Sequence, residues 1–338
     1  MENTVIAVGG AKCGKSPIMP YIGEHVYGHD FTIHATLNLE AALLRCGFDV
    51  LCLQSAEPQD IIMQANRHNA DAVIIMSYAS FGSGKSFNDE HGVVVRYSQG
   101  RQGGKSRVLC EDICAKLAMH KKAGVASDGT LGAANCPAAV VDGGYLTNFD
   151  EAKLACDPDY SVKIAEHTAL GVCEHFGMPY VVRDDITAYP LLCPSATGKR
   201  GNKIKLLQVM LAANGSDIAI DGVYGKETDL AVKTFCSDNG APAAEGVTAS
   251  LWRDMLVIDP PDLPEGSKHS AVSYVQQKLY GKLYKTPRDG VLGGETINAL
   301  NEFIAEAGGD TSLTDNHCAR ADAIKFLKKS TAGRPRLY

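Results

Sequence analysis

The 338-residue sequence lacks the features that mark a membrane protein, a secreted protein or a nucleic-acid-binding protein. No apolar run approaches the roughly 20 residues needed to span a bilayer. The N-terminus also has no basic region followed by the apolar core of a secretory signal. With 33 basic and 39 acidic residues the net charge is −6, which offers no electrostatic basis for binding nucleic acid or anionic lipid. We therefore expect synthesis in the cytoplasm and neither nucleic acid nor membrane as a partner.

Closely spaced cysteine pairs of the CxxC type are also absent, although the chain contains 11 cysteines. An odd number of scattered cysteines does not fit a disulfide framework or a zinc ribbon. The pattern predicts free thiols, most of them buried, in a reducing environment.

Short apolar strands alternate with amphipathic helices as far as about residue 180, which predicts an α/β domain with a twisted sheet flanked by helices over residues 1–183. The predicted strands are 5–8, 49–53, 72–76, 93–97 and 138–141, and the predicted helices are 31–46, 58–68, 106–121 and 159–176. Turn-forming residues are concentrated at 187–202 and 258–266, which we interpret as linkers.

An internal repeat follows the first linker, because residues 204–235 align with residues 272–303 at one constant offset. Gln208 aligns with Gln276, and a D-G-x-x-G turn and a capping threonine align behind them. The sequence of each copy predicts a module of three short helices around a small core. We place the two modules at residues 200–257 and 268–330.

The repeat resembles the peptidoglycan-binding domain that accompanies many bacterial and phage cell-wall hydrolases. The first copy keeps the L-Q, D-G-x-x-G and closing S-L-W-x-x-x-L positions, whereas the second copy lacks the tryptophan. The resemblance implies peptidoglycan as a partner of the first module, around Asp221, Tyr224 and Trp252. Two alternatives stay open: a generic helical module, and a second copy that serves packing or another ligand.

The stretch G-G-A-K-C-G-K-S at residues 9–16 has the spacing of a phosphate-binding loop. Such a loop opens directly into a helix, but Pro20 does not fit inside a helix that has already begun. The acid of the strand at 72–76 is Asp71, which lies at the wrong end to hold magnesium. A nucleotide-binding protein is therefore the weaker alternative, and it would depend on Lys15.

Two other stretches carry a different resemblance: residues 65–76 contain A-N-R-H-N-A-D before an apolar strand, and residues 137–151 read P-A-A-V-V-D-G-G-Y-L-T-N-F-D-E. Both resemble the zinc-dependent N-acetylmuramoyl-L-alanine amidases of the amidase-3 type. That family binds zinc through two histidines and a glutamate and uses a further glutamate for catalysis. Carried over, the ligand positions fall on Gly10, about Gly28 and Ser77, and the catalytic position falls on Asp142.

None of the three implied zinc ligands is present at these positions. Glycine has no side chain, serine is a poor zinc ligand, and aspartate is one methylene shorter than glutamate. We therefore expect no zinc, no catalytic residue and no enzyme, but a pseudo-amidase that binds peptidoglycan. The alternative is an active zinc amidase, related to endolysins, whose metal ligands have moved to His25 and His29, four residues apart.

The expected setting is that of a phage lysin relative or a component of a phage tail or similar particle, which reaches the cell wall after lysis or within the particle. Other proteins of that particle are expected partners. Both a glycopeptide and a protein stay open as the ligand of residues 1–183. The loop at 80–87 and the basic stretch at 96–105 are candidates for lining a substrate groove, with ordinary mobile surface as the alternative.

Overall fold

The computed structural model describes residues 4–11, 28–53, 57–118, 122–192, 198–242 and 246–334, with side chains of the first helix described from residue 32 onwards. The chain forms two compact units. The first unit contains residues 1–155 and 159–183, and the second contains residues 156–158 and 184–338. Among the described residues, no helix is both long enough and apolar enough to cross a membrane.

The first unit is built on a six-stranded sheet with the strand order β2-β1-β3-β6-β4-β5. Strand β4 is antiparallel to β6 and parallel to β5, and the other neighbours are parallel. The strands are β1 Val5–Gly10, β2 Asp49–Leu53, β3 Ala72–Ala79, β4 Val93–Ser98, β5 Ala123–Asp128 and β6 Ala138–Tyr145. The helices are α1 Gly28–Arg45, α2 Pro58–Arg67, α3 Gly103–Leu117, α4 Phe149–Ala155 and α5 Pro158–Phe176.

The central strands β3 and β6 are buried along almost their whole length. Strands with both faces covered by helices have continuous apolar sequences instead of alternating ones, and β3 begins A-V-I-I-M. Val73 and Ile75 pack with Ile61 and Ile62 of α2 in one apolar cluster. Because strand side chains alternate, Ile74 and the other even-numbered residues of β3 face the opposite side of the sheet.

The predicted α/β class is confirmed, and every predicted strand and helix of the first unit is present. Strand β5 and the short helix α4 were not predicted. The sequence of β5 is A-G-V-A-S-D, which is poor in β-branched residues, and the strand forms only at the edge of the sheet beside β4. Strand β6 also continues to Tyr145, four residues beyond the predicted end at residue 141.

The second unit contains the two copies of the repeat, each with three helices. The first copy contains α6 Asn202–Ala213, α7 Lys226–Asp238 and α8 Ala249–Met255. The second contains α9 Ser270–Gly281, α10 Gly294–Glu306 and α11 Ala321–Lys329, with a short antiparallel pair β7 Leu263–Pro264 and β8 Cys318–Ala319.

One glutamine organises the turn between the first two helices of the first copy. The Gln208 side-chain amide donates to Asp221 Oδ1 at 2.9 Å, to the Val223 carbonyl at 3.1 Å and to Thr228 Oγ1 at 3.0 Å. Its carbonyl oxygen accepts from the backbone N–H of Gly222 at 2.7 Å. Gly222 has a φ of +70°, which explains the glycine of the D-G pair.

The second copy repeats this network atom for atom. Gln276 donates to Asp289 Oδ1 at 2.9 Å, to the Val291 carbonyl at 3.1 Å and to Thr296 Oγ1 at 3.2 Å, and it accepts from Gly290 N at 2.9 Å. The positions that the repeat preserves are therefore those that satisfy the buried polar groups of this turn.

Residues near both predicted linkers pack into the modules. The Tyr189 and Trp252 rings lie 4.8 Å apart, and Trp252 Nε1 donates to the Pro190 carbonyl at 2.9 Å. Leu192 pairs with Val247 through two backbone hydrogen bonds, and Leu263 lies in the core of the second module. Turn-forming residues indicate an irregular backbone, but they do not reveal that the apolar residues between them are buried.

Candidate functional site

Three of the four positions carried over from the amidases meet at one edge of the sheet. Strands β3 and β6 are adjacent and parallel, and their register places Ser77 directly beside Asp142. Gly10 ends β1 and lies beside Met76 of β3. The fourth position, Gly28, begins α1. The carboxyl ends of parallel strands are the usual place for a site in an open α/β sheet. We call Gly10, Ser77 and Asp142, together with Arg96, the ligand corner.

Asp142 is held by an arginine that the sequence did not assign to the site. Arg96 Nε donates to Asp142 Oδ2 at 2.6 Å, and Arg96 Nη2 donates to Asp142 Oδ1 at 3.2 Å. Arg96 Nη1 donates to Asp128, and the Ser77 side chain hydrogen-bonds to Asp142. In the antiparallel β4–β6 pair Arg96 is opposite Val140, so that Asp142 is its diagonal neighbour.

Burial and the neighbouring charge of Arg96 shift the pKa of Asp142 in opposite directions. Burial raises the pKa of Asp142, which is only 3% exposed, while Arg96 and the hydrogen bond from Ser77 work against that rise. Burial alone would lower the pKa of Arg96, but Asp142 and Asp128 together raise it above its usual value. The guanidinium is thus charged and both carboxylate oxygens of Asp142 are occupied.

The space beside Gly10 is filled by α1. A Cβ atom at residue 10 would lie 2.9 Å from Thr36 Oγ1 and 3.1 Å from Thr32 Oγ1, which is closer than ordinary packing allows. Thr36 Oγ1 donates to the Thr32 carbonyl at 2.7 Å, and both threonines are buried. A histidine side chain has no room at this position while the helix stays in place.

The ligand corner does not fit a zinc ion. A zinc site needs at least three nitrogen, sulfur or oxygen ligands from the protein, and Gly10 and Gly28 offer no side chain. Asp142, the one carboxylate among the four carried-over positions, is engaged by Arg96. Across the parts of the chain that the structure describes, no three His, Cys, Asp or Glu side chains are grouped as metal ligands would be. His25 and Lys15, and the side chain of His29, lie outside the described residues, so the relocated zinc site and the nucleotide alternative stay predictions.

Side chains of the turn that follows β6 hold its backbone through hydrogen bonds. Glu151 Oε2 accepts from Tyr145 N at 2.7 Å, and Glu151 Oε1 accepts from Gly92 N at 2.8 Å. Asn148 Oδ1 accepts from the backbone N–H of Asp150 at 3.1 Å and of Glu151 at 3.2 Å at the start of α4. We call Tyr145, Asn148, Glu151 and Gly92 the turn clamp. It joins the end of β6 to the start of β4.

The three residues proposed for wall binding in the first module have different environments. Trp252 is fully buried and Tyr224 is 2% exposed, so that neither side chain is available to a wall fragment in this conformation. Asp221 is exposed, but its Oδ1 accepts from Gln208 and from Val223 N at 2.8 Å. These bonds, led by that from Gln208, lower the pKa of Asp221. Peptidoglycan binding around these residues stays a prediction, and among the three only Asp221 is exposed.

The sequence pattern did not connect Arg96 or Asp128 with Asp142, and it offered the stretch 96–105 only as a candidate for a substrate groove or for mobile surface. The structure places Arg96 in β4, where its side chain is one-third exposed and bound to Asp128 and Asp142. A signal was present, because Arg96 interrupts the apolar run V-V-V-R-Y. A charged residue within a buried strand requires an opposite charge nearby.

The comparisons with known proteins agree with this two-part organisation. Residues 10–174 match the family model Amidase_3, described as "N-acetylmuramoyl-L-alanine amidase", and residues 200–248 match PG_binding_1, described as "Putative peptidoglycan binding domain". No curated protein matches the chain.

Similar solved structures cover about half of this chain and nearly all of their own. An N-acetylmuramoyl-L-alanine amidase from Clostridium difficile 630 is 18% identical, with 52% of this chain and 98% of that chain covered and a TM-score of 0.45. The catalytic domain of CwlV, an N-acetylmuramoyl-L-alanine amidase from Bacillus (Paenibacillus) polymyxa var. colistinus, is 17% identical, with 52% and 99% covered and a TM-score of 0.44. AmiC2 of Nostoc punctiforme is 17% identical, with 52% and 97% covered and a TM-score of 0.41.

Both resemblances noted in the sequence are thus confirmed at the level of the family. The matched residues include the ligand corner and the turn clamp in the first case, and α6 and α7 of the first helical module in the second. Residues 10–174 form an Amidase_3 domain, and a domain of the peptidoglycan-binding family follows it at residues 200–248.

Proposed function

We propose that this protein binds bacterial peptidoglycan and that its amidase-type domain does not cleave it. An Amidase_3 domain beside a peptidoglycan-binding domain indicates a cell-wall function related to that of the amidases. The observation that carries the finer proposal is the ion pair between Arg96 and Asp142 at the position of the catalytic glutamate. The expected setting in a phage or phage-like particle stays a prediction.

A general base needs a carboxylate oxygen that faces the water or substrate whose proton it takes. Arg96 binds both oxygens of Asp142, and Ser77 donates a further hydrogen bond. An oxygen that already accepts from a guanidinium is a weaker proton acceptor, because protonation would cost the charge-assisted bond. Asp142 is therefore suited to holding β4 and β6 together and is unsuited to activating water.

The packing of α1 against Gly10 supports the same conclusion independently. If the chain had lost only its ligands, space for a metal and its water would remain beside β1. Instead Thr32 and Thr36 contact the position where the first histidine would begin. This close packing of α1 beside Gly10 supports the proposal that the ligand corner binds no metal.

The test uses the full chain, purified without chelator or affinity-tag metal. Zinc is quantified by mass spectrometry, and the same sample is incubated with purified sacculi, with an active amidase in parallel. We expect substoichiometric zinc, co-sedimentation with the sacculi, and neither loss of turbidity nor release of peptide. Soluble wall fragments added in excess should reduce the co-sedimentation.

A His25→Ala/His29→Ala variant separates this proposal from the active-enzyme alternative. Stoichiometric zinc and wall hydrolysis that are both lost in the variant would show an amidase with relocated ligands and would refute the pseudo-amidase. If the wild-type chain stays in the supernatant with sacculi of several wall types, the binding half of the proposal is wrong.

A further inference from the structure

Two buried cysteines lie in contact at a place that the ligand corner does not include. Cys46 directly follows α1 and is 4% exposed, and Cys173 lies in α5 and is 1% exposed. Their side chains are hydrogen-bonded to each other. Two thiols within hydrogen-bonding distance, one just after α1 and the other in α5, have the proximity that a disulfide requires.

The surroundings of the pair favour a thiolate on Cys46. The backbone N–H of Val181 donates to Cys46 Sγ at 3.3 Å. The neighbouring Arg45 is buried and pairs with Glu166 at 2.5 Å, and Glu166 also accepts from the Tyr180 hydroxyl at 2.5 Å. The hydrogen bond from Cys173 lowers the pKa of Cys46, and the hydrogen bond from Val181 and the positive charge of Arg45 lower it further. Burial acts in the opposite direction but is outweighed.

Other cysteines of the first unit show the opposite behaviour. Burial raises the pKa of Cys110, of Cys114 and of Cys136, the last to about 11. A raised pKa keeps these thiols protonated and so less prone to oxidation, since the thiolate is the reactive form. The same hydrogen bond that favours the Cys46 thiolate raises the pKa of Cys173, so that Cys173 keeps its proton and acts as the donor.

We propose that Cys46 and Cys173 are a redox site at which a hydroperoxide oxidises the two thiols to a reversible disulfide. The Cys46 thiolate attacks the peroxide, an S–O bond forms, the O–O bond breaks, and with hydrogen peroxide the leaving hydroxide takes a proton and departs as water. The Cys173 sulfur then attacks the Cys46 sulfenic acid, the S–S bond forms, and a second water leaves with the Cys173 proton. Two thiols lose two electrons in total, and one peroxide becomes two waters.

The disulfide would join the end of α1 to α5, the first and last long helices of the described part of the first unit. Because it closes a loop of about 130 residues, it restricts the unfolded chain and stabilises the folded unit. This inference does not depend on the wall-binding proposal. The disulfide would stabilise the folded first unit when the protein leaves a reducing compartment.

The test treats the reduced full-length chain with hydrogen peroxide and then blocks remaining thiols with an alkylating reagent in denaturant. Peptide mapping should show a Cys46–Cys173 linkage that dithiothreitol removes. The melting temperature of the first unit, followed by far-ultraviolet circular dichroism, should rise by roughly 5–15 °C on oxidation and return on reduction.

Cys46→Ser and Cys173→Ser should each abolish the linkage and the rise in melting temperature, whereas Cys110→Ser, an equally buried control, should keep both. The mapping of the wild-type chain decides the proposal even if a variant does not fold. Recovery of both cysteines as alkylated thiols after peroxide overturns it. So does recovery of Cys46 as a sulfinic acid, or linked to a different cysteine, while Cys173 stays reduced.

Discussion

The ligand corner and the turn clamp each contain a buried carboxylate, and the two carboxylates lie on the same stretch of chain. Asp142 is 3% exposed and Glu151 is 2% exposed. Asp142 is bound by the side chains of Arg96 and Ser77, whereas Glu151 accepts from the backbone N–H groups of Gly92 and Tyr145. Asp142 lies at the position carried over from the catalytic glutamate of the amidases, and Glu151 ends the stretch 137–151 that resembles that family.

The difference shows that one family signature combines two kinds of constraint. Glu151 satisfies backbone donors that any version of this turn must bury, so that its replacement would cost stability whether or not the domain is an enzyme. Position 142 is the one carried over from the catalytic glutamate of the amidases, and here Asp142 forms a salt bridge with Arg96. A match to such a signature therefore identifies the fold, and the function must be argued from the site.

The largest effect is expected from Glu151→Ala in the turn clamp. Two buried backbone N–H groups lose their acceptor, which should lower the free energy of unfolding of the first unit by about 3 kcal/mol. Circular dichroism during urea unfolding measures this loss. The single tryptophan, Trp252, lies in the first helical module, so its fluorescence provides an internal reference. Asp150→Ala, on the exposed side of the same turn, should change little. Equal effects of the two variants would remove the distinction between clamp and surface.

The next effect is expected from Arg96→Met in the ligand corner. Asp142 and Asp128 lose their cation, which should destabilise the first unit by about 2 kcal/mol at pH 8, a value reduced because Arg96 is one-third exposed. The pKa of Asp142, already raised by burial, then rises further above its unfolded value. An acid with a raised pKa costs stability above its unfolded pKa, so the penalty should shrink as the pH falls from 8 towards 5.

Adding Asp142→Asn to Arg96→Met provides the matched control, because it removes the uncompensated charge. The double variant should recover part of the lost stability at pH 8, and its remaining deficit should depend less on pH. A deficit of the single variant that grows towards pH 5 would contradict an ion pair at this position.

A smaller effect is expected where α1 packs against β1. Gly10→Ala places a Cβ against Thr36 Oγ1 and should cost about 1–2 kcal/mol through overpacking. Thr36→Ala in the same chain should relieve part of this cost, so that the double variant is more stable than the sum of the single effects predicts. Strict additivity would show that the space beside Gly10 is open, which would reopen the case for a metal ligand there.

The smallest effect is expected from Ser77→Ala, which removes one hydrogen bond to Asp142 that Arg96 can partly replace. The free energy of unfolding should fall by about 1 kcal/mol or less. Ser83→Ala, at an exposed position of the following loop, is the control and should be neutral. A loss as large as that of Arg96→Met would mean that the serine, and not the arginine, holds the carboxylate.

Much of the first unit could be predicted because periodicity and apolar runs reflect local geometry. Strand β3 is a continuous apolar run, and the capping and turn residues of the repeat are spaced as the helices require. Strand β5 could not be predicted in this way, since its six residues become a strand only through hydrogen bonds to β4. Leu192 and Leu263 lie in stretches whose sequence predicts linkers, and their burial depends on partners far away in the chain.

The residues of the ligand corner also differ in whether the sequence could predict them. Gly10, Ser77 and Asp142 were found by matching short stretches to a family pattern, and the structure brings them to one edge of the sheet. Arg96 was not found, because its link to Asp142 is a diagonal contact across an antiparallel pair whose register no local pattern encodes.

The amino-acid sequence by itself determined the α/β class, the repeat and the residue types at the four positions carried over from the amidases, because these depend on residue identity and spacing along the chain. Only the tertiary structure decided that Thr32 and Thr36 close the space beside Gly10 and that Arg96 neutralises Asp142. Those contacts join helix to strand and strand to strand over long separations. Their energies depend on burial and distance, which no sequence spacing specifies.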